Sequence, residues 1–174
     1  TILIIMLLAA SWISLRTTSL PRKTLLLNAI YSIVLGGVTV LLLMTQGVLS
    51  LKPWYSPSYM IPLGGMIFAN CMNSISLAAE RLESELKQGK PYEKAKVIAL
   101  RTSLIPITNM LLAVGLVSLP GMMTGQILSG VSPLIAVRYQ IMVMCMIFGS
   151  SGISAAVFLH SVKDSFTEAK NRFE

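Results

Sequence analysis

The charged residues of this chain come in clusters, and the stretches between the clusters constrain the fold more than any other feature. No Asp, Glu, Lys or Arg occurs between Lys23 and Lys52 or between Lys52 and Glu80, and Arg138 alone interrupts the run from Arg101 to Lys163. A soluble domain spreads charge along its amphipathic elements and carries about 25% of it. Here 54% of the residues are hydrophobic, 12% are charged, and the mean hydropathy is +0.73. Uncharged stretches of about 20 residues are the length that crosses a bilayer as a helix. Helices satisfy their own backbone in lipid, which open sheets cannot do. The expected fold is an all-α integral membrane protein, a polytopic helical bundle of about four spans, forming one membrane domain over residues 1–174.

The clusters set the orientation. The net charge of +7 would raise nucleic acid as a partner in a soluble protein. In a membrane chain it marks cytoplasmic loops and contact with lipid, and no basic–aromatic interleaving supports base stacking. An apolar run from Thr1 to Leu15, short for a crossing, ends at "RTTSLPRK". A second run from about Thr24 to Leu51 holds Gly36 and Gly37, which permit close helix approach. It leaves through "KPWYSPSY", where Trp54, Tyr55 and Tyr59 read as an interfacial belt on the outer face. A third begins near Met60 and continues without a breaker into "ERLESELKQGK". Glu83 and Lys87 in that sequence have favourable i,i+4 spacing.

Gly89 and Pro91 break this helix, and "YEKAKVIALR" starts another, so residues 80–101 read as a cytoplasmic helix–turn–helix. A fourth apolar segment over 102–119 carries Pro106, expected to break or kink it. A last run follows from about Leu134 to Val162, and 163–174 reads as a cytoplasmic tail. The chain starts inside hydrophobic sequence without Met or a signal-peptide pattern, so further residues are expected to precede it.

The chemistry that is missing narrows the function. The chain has no GxxxxGK[ST] phosphate loop, no HExxH and no CxxC. No carboxylate occurs between Thr102 and Val162, whereas proton-coupled carriers place such groups within their spans. An intramembrane enzyme needs a catalytic pair at depth, but His160 lies at the end of the last span and Asp164 in the tail. The chain is therefore expected not to be catalytic by itself. Cys71 and Cys145 sit in apolar surroundings and read as buried thiols rather than a disulfide.

The polar residues inside the spans carry what function the chain has. Asn70 and Asn73 share a helix face with Leu77 and serve either interhelical bonding or a polar path. "LPGMMTGQILSG" at 119–130 is bracketed by Pro120 and Gly130. Broken helices at membrane depth are tolerated where protein buries them or water reaches them, and they often shape transport sites. The GxxxG spacing of Gly121 and Gly125 also fits a packing face. Met122 and Met123 are candidate ligands for a soft metal, although Met more often fills apolar gaps. The candidate path residues are Asn70, Asn73, Met122, Met123, Gln126, Arg138 and Gln140.

"IPLGGMIFANCMNSISLAAERL", "GLVSLPGMMTGQILSG" and "SPLIAVRYQIMVM" resemble the FetB-type family of ABC transporter permeases. The family includes a bacterial permease linked to iron export and plant permeases linked to aluminium tolerance. The resemblance covers about Met60 to Val162. It implies a permease in the cell membrane, with the bacterial inner membrane as the expected location. It also implies a separate cytosolic ATPase that holds ATP and magnesium, a second permease copy, and no cofactor on this chain. The exported solute would be a metal ion, iron favoured, or a metal-linked solute. The hairpin at 80–101 would dock on the ATPase, with Glu80, Arg81, Glu83 and Glu85 as coupling residues. Two departures stand out: family members have further N-terminal spans, and their glycine–alanine turn after the ERL helix is replaced here by "KQGKPYEKAKVIALR". A passive channel or structural membrane scaffold is the alternative of a different class, and it needs no ATPase.

Overall fold

A proline that can open a helix and a glycine that can close one bracket the longest element of the computed structural model. The structure describes residues 2–16, 18, 22–50, 53, 55–115 and 119–163, of which 22–24 by backbone alone. Helix α4 (Pro57–Lys87) starts with Pro57 in its first turn, where a missing N–H costs nothing, and runs for 31 residues through Pro62. It closes in a Schellman arrangement: the Gly89 N–H donates to the Leu86 carbonyl and the Lys90 N–H to that of Glu85. Gly89 stands at φ +79°, a conformation that a Cβ would penalise. Pro91, in extended conformation, then opens α5 (Tyr92–Ala113). The helical hairpin expected over 80–101 is thus present.

The remaining elements are α1 (Ile2–Ser14), α2 (Arg22–Ile33), α3 (Thr39–Leu42), α6 (Gly121–Leu128) and α7 (Pro133–Ser161). Two π-helical turns, Val34–Val38 and Leu43–Val48, flank α3, so 25–48 forms one continuous crossing. Four helical segments are long and apolar enough to span a bilayer: this one, α4, α5 and α7. The chain is a multi-pass, all-helical membrane protein, as its charge clusters require. Pro106 does not end its helix; α5 passes through it to Ala113. Residues 102–113 of the expected apolar segment are therefore the second half of a helix that begins in the charged hairpin.

α4 lies at the centre and packs against α1, α5 and α7. Its buried side, including Leu63, Ile67, Cys71, Ile75, Ala78 and Leu82, repeats every three or four residues, as one helix stripe must. α7 answers with Val143, Ile147, Ser154, Phe158 and others. The close approach occurs in the first π turn. A Cβ on Gly36 would lie 2.2 Å from Ser154 Oγ and 2.7 Å from the Ser154 backbone nitrogen, and one on Gly37 would lie 3.1 Å from Ile67. The paired glycines are contact points, as their mid-span position predicts.

The bundle core is apolar, and several of its hydroxyls are tied back locally. Ser150 Oγ donates to the Ile147 carbonyl and Thr45 Oγ1 to that of Leu41. Ser154 instead donates across to Cys71 Sγ at 3.2 Å.

Candidate functional site

The charged end is built around one carboxylate. Glu85, fully buried, lies on the extension of α4 beyond its apolar section. Arg81 Nη2 is 2.5 Å from its Oε1, and Lys90 pairs with Oε2. Arg81 stands one turn earlier on the same helix, and Lys90 is delivered by the Schellman closure. The Lys90 ammonium, followed by the Arg81 charge, holds the Glu85 carboxyl below its ordinary value, although burial pulls the other way. Glu83, mostly covered, and Lys87, exposed, make the expected i,i+4 pair at 2.6 Å, and Glu80 is exposed. The four expected coupling residues therefore differ in kind. Glu85 and its partners Arg81 and Lys90 fix the shape of the turn, Glu80 lies on its outer surface, and the Glu83 side chain is mostly covered.

The same end is tied to α7. The last four carbonyls of a helix lack partners within it. The Tyr92 hydroxyl, at the start of α5, donates to the Leu159 carbonyl. Asn28 Nδ2, from α2, donates to the Ser161 carbonyl at 3.3 Å. Lys163 lies 3.6 Å from Glu93. The hairpin, the start of the second span and the end of α7 thus meet at one end of the bundle, where the positive-inside pattern expects them.

The candidate path residues fall into two groups. Asn70 and Asn73 are on α4, with Asn70 about 20 Å from the start of the helix at 1.5 Å per residue, within its uncharged section. Asn70 is half-buried and donates to the Met66 carbonyl at 2.8 Å. Asn73 is exposed, on a stripe with Pro62, Ala69 and Glu80 that faces away from the core. The second group lies toward the opposite end from the hairpin. α6 sits between Pro120 and Gly130, which has φ +88° and caps it in a second Schellman turn. It packs on α7. Met123 is buried and Met122 packs against the core. The Gln126 Oε1 atom is buried without a hydrogen-bond partner among the described residues. On α7, Gln140 is buried while Arg138 is exposed, because residues two apart point to different faces.

Two details differ from the sequence expectation. Cys145 is exposed and only Cys71 is buried. Among the described residues nothing comes within 4 Å of a Cβ built on Gly121 or Gly125, so the GxxxG face makes no packing contact with them. Trp54 of the interfacial belt and the tail beyond Lys163 lie outside the described residues, while Tyr55 and Tyr59 are exposed at the expected end. Sequence reasoning passed over Tyr92, Asn28 and Ser154. Their signals are single polar atoms whose partners are 67, 133 and 83 residues away, and no local period announces such pairs.

The chain matches the model of the uncharacterised protein family UPF0014 over residues 1–98 and 92–166. The two matched segments meet in the first turns of α5, next to the hairpin where the sequence departs from the resemblance. It is 43% identical to a UPF0014 membrane protein of Synechocystis over 137 residues, which cover 69% of this chain and 53% of that protein. It is 28% identical to the probable iron export permease protein FetB of Escherichia coli, covering 94% of this chain and 67% of that one. It is 35% identical to the protein ALUMINUM SENSITIVE 3 of Arabidopsis thaliana, covering 64% and 46%. The chain spans about half the length of the first of these relatives. No solved structure matches it.

Proposed function

The chain belongs to the UPF0014 family, and from that premise we propose that it is the membrane-spanning part of an ABC transporter permease that exports a metal ion, iron favoured, or a metal-linked solute. ATP hydrolysis on a separate cytosolic ATPase, which holds the nucleotide and magnesium, drives it. A second copy of the permease completes the transporter, and the assembly resides in the bacterial inner membrane.

The observation that carries the reading is the outward stripe on α4. Asn73 is exposed and Asn70 half-buried at a depth where an amide facing hydrocarbon is unfavourable. A stripe of this kind faces either a watery path or another protein chain, and both belong to a transporter. The absence of a phosphate loop in this sequence fits hydrolysis on a partner. The hairpin at 80–101 offers the ATPase a surface of Glu80 and Lys87, held in shape by the Glu83–Lys87 pair and the Arg81–Glu85–Lys90 cluster. Gln126, Arg138, Gln140 and the methionines Met122 and Met123 lie toward the far mouth of the path. The name of the Escherichia coli relative favours iron over other cargo.

The test is co-purification. The full-length protein, expressed with candidate ATPases and extracted with its fold intact, brings down one of them and supports ATP hydrolysis that ferrous iron stimulates. A folded permease that retains no ATPase removes this reading and leaves the passive channel or scaffold. An ATPase complex that ignores iron but answers another solute corrects the cargo alone.

A further inference from the structure

The end of α7 is held from two sides. On one side the hairpin reaches it through the Tyr92 hydroxyl on the Leu159 carbonyl and through Glu93 on Lys163. On the other side Asn28 of α2, which is not part of the hairpin, reaches the Ser161 carbonyl. The hairpin side is stiff. Glu85 grips Lys90, Pro91 fixes the next backbone angle, and Tyr92 follows directly. A shift of the hairpin tip therefore moves the end of α7 or breaks the Tyr92 bond. α7 is one continuous helix of 29 residues. Its far half carries Arg138 and Gln140 and packs against α6, where Met123 and Gln126 lie.

We propose that Tyr92 is a positioning residue that makes α7 follow the hairpin, while Asn28 makes it follow the rest of the bundle. This inference rests on the permease–ATPase reading and adds to it the link between the ATPase-facing surface and the far mouth. The two anchors compete for one helix end. Loss of the Tyr92 hydroxyl leaves α7 with the bundle, so hairpin movement no longer reaches it. Loss of the Asn28 amide leaves α7 with the hairpin, so the movement still arrives. A purely structural role would make both losses act in the same direction.

The test uses the full-length protein with its ATPase and an environment-sensitive fluorophore on Cys145, the exposed thiol of α7. Any cysteine outside this chain is replaced first. The readout is the change in fluorescence between the nucleotide-free complex and the complex trapped with ATP and vanadate. Tyr92→Phe is expected to cut that change about fivefold, the population effect of one hydrogen bond, with hydrolysis continuing on the ATPase. Asn28→Ala is expected to leave it intact or enlarge it. Equal responses in wild type and Tyr92→Phe, equal losses in both variants, or a silent α7 over an active ATPase would each overturn the proposal. If Tyr92→Phe does not fold, Glu93→Gln, which removes an exposed contact, replaces it; a wild-type response there counts against the proposal. Failure of any ATPase to co-purify is a separate result, since it removes the permease reading and this inference with it.

Discussion

Gly36 of the first π turn lies against Ser154 of α7 so closely that a Cβ on the glycine would stand 2.2 Å from the serine Oγ and 2.7 Å from its backbone nitrogen. A hydroxyl can rotate aside, but a helix backbone cannot. The same point is 3.0 Å from the Ser150 carbonyl oxygen, so the added methyl meets α7 over a full turn. Forcing an extra carbon into a packed contact costs about 1–3 kcal/mol. Gly36→Ala is therefore expected to lower the thermal midpoint of the detergent-solubilised protein by several degrees. Gly47→Ala, where nothing lies within 4 Å, is the control and should not lower it. Equal midpoints for the two variants would show that this crossing does not hold the bundle together.

Glu85 gives the charged end a pH dependence of known sign. Its carboxyl is held below the ordinary value of 4.5, first by Lys90 and then by Arg81. A folded-state value depressed in this way stabilises the hairpin at every pH above the unfolded value. The contribution is lost as pH falls through the folded value. The hairpin should therefore be pH-independent from neutrality down to about the unfolded carboxylate range near pH 4 and loosen below it. Hydrogen exchange of the Gln88–Tyr92 amides across an acid series measures this. Glu85→Gln should exchange faster already at neutral pH, because two cations lose their counter-charge, and should lose the acid step.

The spans, their order and the hairpin were legible in the sequence because each has a one-dimensional signal. Charge-free stretches mark crossings, and the Gly89–Pro91 and Pro120–Gly130 pairs mark helix ends through backbone angles that few other residues adopt. Pro106 does not end its helix, and the reason is physical. One missing N–H within a 22-residue helix is tolerated in a membrane span, where neighbouring groups re-satisfy the freed carbonyl. The candidate site was legible only as a set of residue types. That Arg138 is exposed and Gln140 buried, or that Met123 faces inward while Gly121 and Gly125 face outward, depends on how α6 and α7 are rotated. Their rotation is fixed by contacts distant in sequence. The ties from Tyr92 and Asn28 to α7 were beyond reach for the same reason.

Asn73 separates a path from a simple packing position. It is exposed, so replacing it with Leu creates no cavity and strands no buried partner. Asn73→Leu is expected to keep the stability within about 0.5 kcal/mol of wild type, the usual range for surface substitutions. It should reduce iron-stimulated ATP hydrolysis by the full-length complex. Unchanged stimulation would move Asn73 from the path to a helix contact.

Gln126 makes the sharpest prediction because its cost and its use oppose each other. Its Oε1 is buried without a hydrogen-bond donor among the described residues. A buried acceptor left unpaired costs about 1–3 kcal/mol. Methionine has nearly the same length and no such demand, and Met122 and Met123 stand one turn earlier on the same helix. Gln126→Met should therefore raise the thermal midpoint. If the oxygen is kept for a solute or its water shell at the far mouth, the same substitution should depress iron-stimulated hydrolysis. A stabilised variant with reduced transport is the signature of a group held unsatisfied for function. A destabilised variant would mean that Oε1 finds a protein donor in the full assembly, and Gln126 would then be a structural residue.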